Sequence, residues 1–438
     1  MRAPTYSDSP WRAPVASGPL AATVVLPGSK SLTNRELVLS ALASGPSRID
    51  RPLAARDTDL MVQALQALGT RIEPTDDGGL LVTPAQLRGG VTIDCGLAGT
   101  LMRFLPPVAA LADGPVRFDG NERARARPMA TTIQSLRALG VTVDDDGRGT
   151  LPFTVHGTGG VEGGAVRLDA SQSSQFVSGL LLAGARFRAG LDLQHHGERL
   201  PSLPHIHMTI DVLDRRGVAV RPDVRPPDAR WQVDPQPIAG RTVTIEPDLS
   251  NAAPFLAAAL VTGGTVTVTG WPRKTTQVGD RLREWLAAFG GRIDVSGSDL
   301  SVDGGSGVRS APLRAVDLDL GEGGELAPTL VGLAAFADGP STFTGIGHLR
   351  GHETDRLAAL ATELTALGAA GEETDDGIVV TPGPLAATHR PWRAYGDHRM
   401  ATTGALLGLA VTGLTVDDIG ATAKTLPGFA ELWGRMLA

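Results

Sequence analysis

Six segments of the chain repeat one pattern of apolar and polar positions. Each segment begins with small or polar residues, continues as a mostly apolar run of helical length, and ends in a turn and a strand-like run. The starts lie roughly 67 to 77 residues apart, which is the size of one supersecondary unit. The segments are SLTNRELVLSALASGPSRID from Ser31, AGTLMRFLPPVAALADGPVRFDG from Ala98, SSQFVSGLLLAGARFRAGLDLQ from Ser173, SNAAPFLAAALVTGGTVTVTG from Ser250, GGELAPTLVGLAAFADGPSTFTG from Gly323 and DHRMATTGALLGLAVTGLTVDDI from Asp397.

A second helical pattern follows each segment. The first five of these patterns end at Gly69, Gly140, Gly217, Gly291 and Gly368, and each glycine predicts a left-handed helix cap. Runs such as VTVTG, RIDVSG and GIVVTPG predict strands. Each unit is therefore predicted to run strand–helix–strand–helix–strand–strand. The first helix of a unit is apolar on nearly all sides and is expected at the centre of a domain, whereas the second is amphipathic.

The length of 438 residues predicts two domains, with three units in each. Three central helices bundled in parallel would point three N-termini the same way, and each N-terminus carries roughly half a positive charge. Two such domains face to face would focus a positive field between them despite the net charge of −7. We therefore expect an anionic ligand in an interdomain cleft.

Composition narrows the function classes. The negative net charge argues against a general binder of nucleic acids or anionic membranes. Cys95 is the one cysteine, which excludes internal disulfides and cysteine-rich metal sites and fits a reducing compartment. The N-terminal stretch has no apolar core of signal-peptide length, and no apolar run is long enough to span a membrane. We expect a cytoplasmic protein.

Polar residues collect at the starts of the predicted helices. The chain has 40 Lys plus Arg, of which only Lys30, Lys274 and Lys424 are lysine. Ser, Thr and Asp at these places are ordinary helix caps when taken singly, but their recurrence at equivalent places in a repeat indicates a function. The candidates are Lys30, Ser31, Arg35, Gly99, Thr100, Arg103, Arg127, Ser173, Ser174, Gln175, Ser202, His352, Glu353, Arg356, Asp397, His398, Arg399 and Lys424.

Three other kinds of site fit the sequence poorly. LPGSKS lacks the glycine spacing of a P-loop, because Ser29 precedes the lysine. Cys95 has no neighbouring histidine in the sequence to activate it, so a buried apolar role is expected. His195, His196, His205 and His207 have a spacing that could chelate a metal, but no cysteine or tight acidic partner stands nearby.

The sequence resembles the 5-enolpyruvylshikimate-3-phosphate (EPSP) synthase family from about Leu26 to the C-terminus. The motifs PGSKSLTNR, AGTLMRF, SSQF, ETDR, DHRM and TAKTLPGF occur in the family's order and spacing. The resemblance implies an α/β (α+β) fold of two similar domains, each of three βαβαββ units around parallel buried helices, an inside-out α/β barrel joined by two crossover strands. Domain 1 would comprise 1–28 plus 247–438, and domain 2 would comprise 29–246.

The implied reaction transfers the enolpyruvyl group of phosphoenolpyruvate to the 5-hydroxyl of shikimate 3-phosphate and releases phosphate, on the shikimate pathway to chorismate. No cofactor and no metal are expected, the partners are the two small substrates, and a monomer is expected. Shikimate 3-phosphate would contact Lys30, Ser31, Arg35, Ser173, Ser174, Gln175, Ser202, Glu325 and His352. Phosphoenolpyruvate would contact Lys30, Gly99, Arg127, Gln175, Arg356, Arg399 and Lys424.

The resemblance also implies catalytic roles for Lys30 and two carboxylates. Glu325 would take the proton from the 5-hydroxyl, and Glu353 would protonate the methylene carbon of phosphoenolpyruvate. The family often has Asp at 325, and it commonly has Lys at 352, so the charge of His352 would depend on pH. His348, Leu97 and Phe104 replace the family's usual Asn, Asn and Pro. Gly99 is retained, which predicts sensitivity to glyphosate.

Two rival functions remain open at this point. UDP-N-acetylglucosamine enolpyruvyl transferase shares the family fold, but it matches SSQF and RARARPM poorly and carries a loop cysteine that is missing here. A ring-shaped DNA clamp is also built from six helix-and-strand units, but it needs basic helices lining a hole. Phosphate release with each acceptor separates the first rival, and salt-dependent DNA retention separates the second.

Overall fold

The computed structural model describes residues 10–225 and 228–438. The chain divides into two units, each with its own apolar core. Unit 1 consists of the described residues up to Leu26 together with Pro247–Ala438, and unit 2 is Pro27–Glu246. The sequence-based boundaries stand after residues 28 and 246, so the first of them lies two residues later than the boundary in the structure.

The helices come in six successive pairs, with one extra short turn, α4. They are α1 (Lys30–Leu42), α2 (Arg56–Ala67), α3 (Gly99–Ala109), α4 (Glu122–Arg125), α5 (Ala130–Ala138), α6 (Gln175–Gly184), α7 (Leu203–Asp214), α8 (Leu249–Thr262), α9 (Leu282–Ala288), α10 (Ala327–Ala334), α11 (Arg356–Leu367), α12 (His398–Gly408) and α13 (Phe429–Met436). Short 3-10 helices cover Val278–Arg281, Gly324–Leu326, Gly347–Gly351 and Ile419–Lys424.

The strands are short and lie between these helices. They are β1 (Trp11–Arg12), β2 (Leu20–Val24), β3 (Ser47–Asp50), β4 (Arg71–Pro74), β5 (Leu80–Thr83), β6 (Val91–Asp94), β7 (Asp113–Asp119), β8 (Thr142–Asp144), β9 (Phe153–Thr158), β10 (Gly164–Leu168), β11 (Leu191–His195), β12 (Val220–Arg225), β13 (Asp228–Val233), β14 (Thr242–Thr244), β15 (Gly264–Val268), β16 (Arg292–Ser296), β17 (Asp299–Asp303), β18 (Asp317–Asp319), β19 (Ser341–Thr344), β20 (Ala370–Glu373), β21 (Ile378–Thr381) and β22 (Thr415–Val416).

Five four-stranded sheets share one topology, which confirms the predicted unit. In the sheet β6-β7-β9-β8, for example, the first two strands are parallel and joined through α3, and the other pairs are antiparallel. The sixth unit departs from this sheet topology. Its strand β22 pairs with β1, and an isolated bridge joins Val416 to Trp392.

β2 and β14 each precede a passage of the chain from one unit to the other, and each pairs in a sheet of the unit that it leaves. β2 precedes α1 in the chain but pairs in parallel with β15, in the sheet that packs on α8. β14 precedes α8 but pairs in parallel with β3, in the sheet that packs on α1. These are the two crossover strands that the family resemblance implies.

The first helix of each pair is buried on nearly all sides, as the apolar pattern predicts. In unit 2 the N-terminal turns of α1 and α3 meet where Asn34 Nδ2 donates to Thr100 Oγ1 at 2.7 Å. The C-terminal ends of α1 and α6 meet where Arg186 Nη1 donates to the carbonyl of Leu42. Because starts adjoin starts and ends adjoin ends, these central helices run in parallel.

Close packing of the central helices depends on one glycine in particular. A Cβ atom at Gly179 of α6 would stand 2.2 Å from the carbonyl oxygen of Arg103 in α3. At the helix ends the predicted caps Gly69, Gly140, Gly217 and Gly368 have positive φ. The remaining prediction, Gly291, is displaced by one residue: α9 ends at Ala288, and the left-handed residue is Gly290.

Across the described parts of the chain, no helix combines the length and apolarity that a membrane crossing requires.

One buried ion pair fixes α1 inside unit 2. The guanidinium of Arg216 donates from Nε and Nη2 to Glu36 Oε2 at 2.9 and 2.6 Å, and both side chains are almost fully buried. Its other N–H groups reach Ser40 Oγ, Ser47 Oγ and the carbonyl of Ala239. The cation is therefore fully satisfied, as a buried charge must be.

We predict that Glu36→Gln lowers the free energy of unfolding by about 3–5 kcal/mol, because it leaves the buried Arg216 cation without a counter-ion. Glu73→Gln is the matched control: it removes an exposed carboxylate that pairs with Arg71 at 2.8 Å, so its effect should stay below about 1 kcal/mol. Urea titration of the two variants measures the difference. Equal losses would contradict the structural role of the Arg216–Glu36 pair.

Candidate active site

In unit 2, Lys30 opens α1. Ser29 caps the helix by accepting from the Leu32 N–H at 3.5 Å, which places Lys30 in the first turn, where the backbone N–H groups are not used within the helix. The ammonium nitrogen of Lys30 lies 3.6 Å from Asp57 Oδ2, and its side chain remains partly exposed. The amino group is therefore held at the helix start and can still reach a ligand.

Arg35 lies one turn further along α1 and is buried. Its guanidinium donates to Thr209 Oγ1 at 2.8 Å, to the carbonyl of Ser31 at 2.9 Å and to the carbonyl of His205 at 3.0 Å. The guanidinium carbon also stands 5.0 Å from the centre of the Phe104 ring. In this structure these donors serve the protein, so Arg35 supports the helix start as well as supplying charge.

Gly99, Gln175 and Arg127 come together at the starts of α3 and α6. A Cβ atom at Gly99 would meet Gln175 Oε1 at 3.1 Å and Arg127 Nη1 at 3.2 Å. Arg127 Nε and Nη1 and Gln175 Oε1 are buried and find no hydrogen-bond partner among the described residues. Three residues from distant motifs thus form a small polar group, in which the unused donors of Arg127 suit a carboxylate or phosphate ligand.

The predicted serines lie at two helix starts. Ser173 Oγ accepts from the Gln175 N–H at 3.2 Å, and Ser174 is buried directly before α6. Ser202 precedes α7 with a left-handed backbone (φ 53°), and its carbonyl accepts from the His205 N–H at 3.0 Å. The turns that carry these serines are therefore held by their own backbone contacts.

In unit 1, two buried cations from separate motifs converge on two carboxylates. Arg356 donates to Asp397 from Nε at 2.8 Å and from Nη2 at 3.2 Å, and Nη2 also donates to Glu353 Oε2 at 3.1 Å. Lys424 Nζ forms a close ion pair with Glu353 Oε1. The side chains of Arg356 and Lys424 are only 2% and 1% exposed, so these pairs are shielded from water.

Arg399 and Glu325 adjoin the same region through the start of α8. Arg399 Nη1 donates to the carbonyl of Ser250 at 2.7 Å and approaches Asn251 Oδ1 at 3.4 Å. Ser250 Oγ lies 3.4 Å from Glu325 Oε1. The backbone N–H of Arg399 donates to Asp397 Oδ1 at 2.8 Å, which joins the contacts of Arg399 to those of Arg356.

Burial lowers the pKa of Arg356 and of Arg399, whereas the nearby carboxylates raise it. Burial lowers the pKa of Arg356, but the charges of Asp397 and Glu353 outweigh it and the net pKa lies above its ordinary value. Burial also lowers the pKa of Arg399, and there Asp248 and Glu325 only partly compensate. Arg399 therefore has less carboxylate stabilisation than Arg356 and is the better placed of the two to gain from an anionic ligand.

His352 stands beside this cluster in place of the family's usual lysine. Its Nδ1 lies 3.3 Å from Arg356 Nη1 and 3.9 Å from Glu353 Oε2. The ring also packs edge-on against His348, with the ring centres 5.6 Å apart. The imidazole is thus close enough to Arg356 and Glu353 for its charge to matter to both.

Sequence reasoning did not single out Asp57, and it named Asp397 only as a candidate at a helix start, without a specific role. Asp57 is fully buried, its carboxylate accepts no hydrogen bond from any described residue, and Lys30 and Arg56 stand within 4 Å. Asp397 holds Arg356 and caps α12. Both residues look like ordinary helix-start acids in the sequence. Asp397 stands directly before α12, at a place equivalent to that of other candidates, whereas Asp57 is the second residue of α2.

The histidine run does not form a metal site. His195 is buried and its Nδ1 accepts from the Ala170 N–H at 3.1 Å, which ties together the ends of β10 and β11. Burial also lowers the pKa of His195. Within residues 10–225 and 228–438 there is no group of three or more His, Cys, Asp or Glu side chains placed to hold a metal ion.

Solved structures share the fold of this chain. EPSP synthase from Acinetobacter baumannii superposes with a TM-score of 0.77 at 23% identity, covering 96% of this chain and 97% of that one. The enolpyruvyl transferase NikO from Streptomyces tendae superposes with a TM-score of 0.73 at 20% identity, covering 96% of each chain. These likenesses confirm the two-domain enolpyruvyl transferase fold.

Sequence comparison goes further than the fold. The family model of EPSP synthase (3-phosphoshikimate 1-carboxyvinyltransferase) matches residues 15–433. A 3-phosphoshikimate 1-carboxyvinyltransferase from Kocuria rhizophila is 53% identical over 441 aligned residues, covering 98% of this chain and 97% of that protein. The chain belongs to the EPSP synthase family.

Proposed function

We propose that this protein transfers the enolpyruvyl group of phosphoenolpyruvate to the 5-hydroxyl of shikimate 3-phosphate and releases phosphate, the reaction of its family. The observation that carries the proposal is the buried cluster of unit 1, in which Lys424 and Arg356 contact the carboxylate of Glu353 and Arg399 adjoins them through Asp397 and Ser250. An ordinary structural ion pair does not need three cations from three separate motifs.

The phosphoenolpyruvate residues are proposed in both units. In unit 1 they are Arg356, Arg399 and Lys424, and in unit 2 they are Lys30, Gly99, Arg127 and Gln175. Support comes from the unused polar atoms of Arg127 and Gln175, which meet at Gly99. A guanidinium binds carboxylate or phosphate through two parallel hydrogen bonds, which suits a ligand that carries both groups.

The shikimate 3-phosphate residues are proposed mainly in unit 2. They are Lys30, Ser31, Arg35, Ser173, Ser174, Gln175 and Ser202, with Glu325 and His352 from unit 1. Support comes from the placement of these hydroxyls and cations at the starts of α1, α6 and α7, where backbone N–H groups and the helix dipole favour an anion. Together the two substrates carry about five or six negative charges, by the usual ionisation of phosphate.

Proton transfer is proposed to use Glu325 as the base, Glu353 as the acid and Lys30 as a further catalytic group. In this structure Glu353 is paired with Lys424 and Arg356. Phosphoenolpyruvate would compete for the same two cations and would bring its own negative charge close to Glu353. Both effects favour the protonated form of Glu353, which is the form that can donate to the methylene carbon. The anionic substrate would thus prepare its own acid.

We further propose a monomeric, cytoplasmic enzyme that needs no cofactor and no metal for this step. Proton transfer by carboxylates and charge stabilisation by fixed cations suffice for the addition of the hydroxyl and the elimination of phosphate. The predicted domains, 1–28 plus 247–438 and 29–246, would carry mainly the phosphoenolpyruvate and the shikimate 3-phosphate groups respectively. His352 would contact the 3-phosphate, more strongly when protonated.

We predict that mixing the two substrates releases phosphate and that Glu353→Gln lowers kcat by about 10²-fold or more, because a general acid is lost. Lys30→Met should raise the KM of both substrates and lower kcat. Glu363→Gln and Lys274→Met are the controls. Glu363 is a buried carboxylate of unit 1 paired with Arg390 at 2.6 Å, and Lys274 is an exposed lysine, so neither change should alter kcat.

Phosphate release under steady-state conditions measures all four variants, with UDP-N-acetylglucosamine as a second acceptor. Full activity in both Glu353→Gln and Lys30→Met would overturn the site assignment. Phosphate release with UDP-N-acetylglucosamine but not with shikimate 3-phosphate as the acceptor would overturn the proposed acceptor.

We predict that glyphosate inhibits in competition with phosphoenolpyruvate and that Gly99→Ala weakens the inhibition by about tenfold, roughly 1.4 kcal/mol. The added Cβ would stand 3.1 to 3.3 Å from Gln175 Oε1 and the Arg127 guanidinium nitrogens, so both side chains must shift by a few tenths of an ångström. Gly434→Ala is the control, because nothing lies within 4 Å of its added Cβ. An inhibition constant that is independent of phosphoenolpyruvate would count against this site.

We predict that Cys95 takes no part in catalysis and does not react in the folded protein. Its thiol is buried, and burial together with Asp94 raises its pKa to about 12, so it stays protonated and unreactive at ordinary pH. Iodoacetamide at pH 8 should therefore label the unfolded chain but not the native enzyme, and activity should survive. Rapid inactivation by native-state labelling would show that Cys95 is accessible and catalytically important.

A further inference from the structure

Arg399 and Lys424 lie on different elements, yet both are tied to one side chain at the start of α8. Arg399 is in the first turn of α12, and Lys424 ends the 3-10 helix Ile419–Lys424. Asn251 is the third residue of α8 and is only 4% exposed. The following inference rests on the proposed roles of Arg399 and Lys424 in holding phosphoenolpyruvate.

The two ends of the Asn251 amide serve different partners. Oδ1 accepts from Arg399 Nη1 at 3.4 Å and from Thr425 Oγ1 at 3.3 Å, and Nδ2 donates to the carbonyl of Thr425 at 3.1 Å. A guanidinium can only donate and a carbonyl can only accept, so these partners fix which end of the amide is oxygen. Thr425 directly follows Lys424, so one amide contacts Arg399 and the segment that carries Lys424.

The backbone of Asn251 and the segment that its side chain contacts are both held in place. The backbone N–H of Asn251 donates to Asp248 Oδ1 at 3.0 Å, which is the N-cap contact of α8. Thr425 is also buried, with 2% of its surface exposed. On its other side Lys424 is anchored by Glu353. Lys424 is thus fixed at its ammonium by Glu353, and the residue that follows it, Thr425, is fixed by Asn251.

We propose that Asn251 is a positioning residue for phosphoenolpyruvate: it sets the separation of Arg399 and Lys424 without touching the substrate. Asn251→Ala leaves Arg399 with its hydrogen bond to the carbonyl of Ser250. It removes the donor to Thr425, so the segment of Lys424 can shift relative to α12. Displacements of this kind matter because two cations bind one small dianion well only at the correct spacing.

The test is the steady-state kinetics of Asn251→Ala. We expect the KM for phosphoenolpyruvate to rise about tenfold while the KM for shikimate 3-phosphate stays within about twofold. Thr425→Val keeps the shape of its side chain and removes only the hydroxyl contact to Asn251, so it should raise the same KM by a smaller factor. Ser341→Ala is the matched control: Ser341 is buried in unit 1 and accepts from the Val316 N–H at 3.1 Å, away from the cations.

The outcomes separate this proposal from the proposed function. If Asn251→Ala and Ser341→Ala both lower Tm and neither changes the KM for phosphoenolpyruvate, Asn251 is merely structural and the proposal is overturned. If Asn251→Ala does not fold, Thr425→Val decides, and an unchanged KM in that variant overturns it. Lys424→Met is measured alongside: if it raises that KM while Asn251→Ala does not, only the positioning role fails. If Lys424→Met has no effect, the ligand assignment fails as well.

Discussion

The guanidinium of Arg356 is buried, and a buried charge must be paired. Asp397 accepts two hydrogen bonds from the Arg356 guanidinium and Glu353 accepts a third, so the arginine fixes where both carboxylates lie. Glu353 in turn fixes Lys424, and Asp397 caps the helix that carries Arg399. The geometry of the whole cluster in unit 1 therefore follows from the need to neutralise one cation that water cannot reach.

This pairing has a consequence for ligand binding. Arg356, Arg399 and Lys424 lie in a cluster with Glu353, Asp397, Glu325 and Asp248, so the protein's own carboxylates compensate much of the positive charge. An anionic ligand is stabilised most beside the cation whose charge the protein's own carboxylates compensate least. That cation is Arg399, and burial lowers its pKa. In unit 2 the corresponding opportunity lies at Arg127, whose buried Nε and Nη1 have no hydrogen-bond partner among the described residues. Two of the proposed substrate contacts, Arg399 and Arg127, thus fall where the protein has left charge or donors incompletely satisfied.

The sequence was sufficient for the repeated unit and insufficient for its exceptions. The apolar runs after Ser31 and Ser250 have helical length and no polar face, so burial of α1 and α8 could be predicted. The small sixth sheet could not, because it depends on β1 pairing with β22 from the far end of the chain. Asn251 was missed for the same reason. Its partner Thr425 lies 174 residues away, and within its own helix an asparagine in the first turn has no distinguishing feature.

Leu97 and Phe104 differ from the residues that are usual in the family near Gly99, but they do not change the polar group at Gly99. Leu97 and Phe104 are both buried, so their side chains do not replace the polar group formed by Gly99, Gln175 and Arg127. The ring of Phe104 instead lies against the guanidinium of Arg35, at 5.0 Å. An aromatic face stabilises a desolvated cation, and a proline offers no such face. In this chain Phe104 therefore supports, from the core side, a cation whose hydrogen bonds hold the starts of α1 and α7 together.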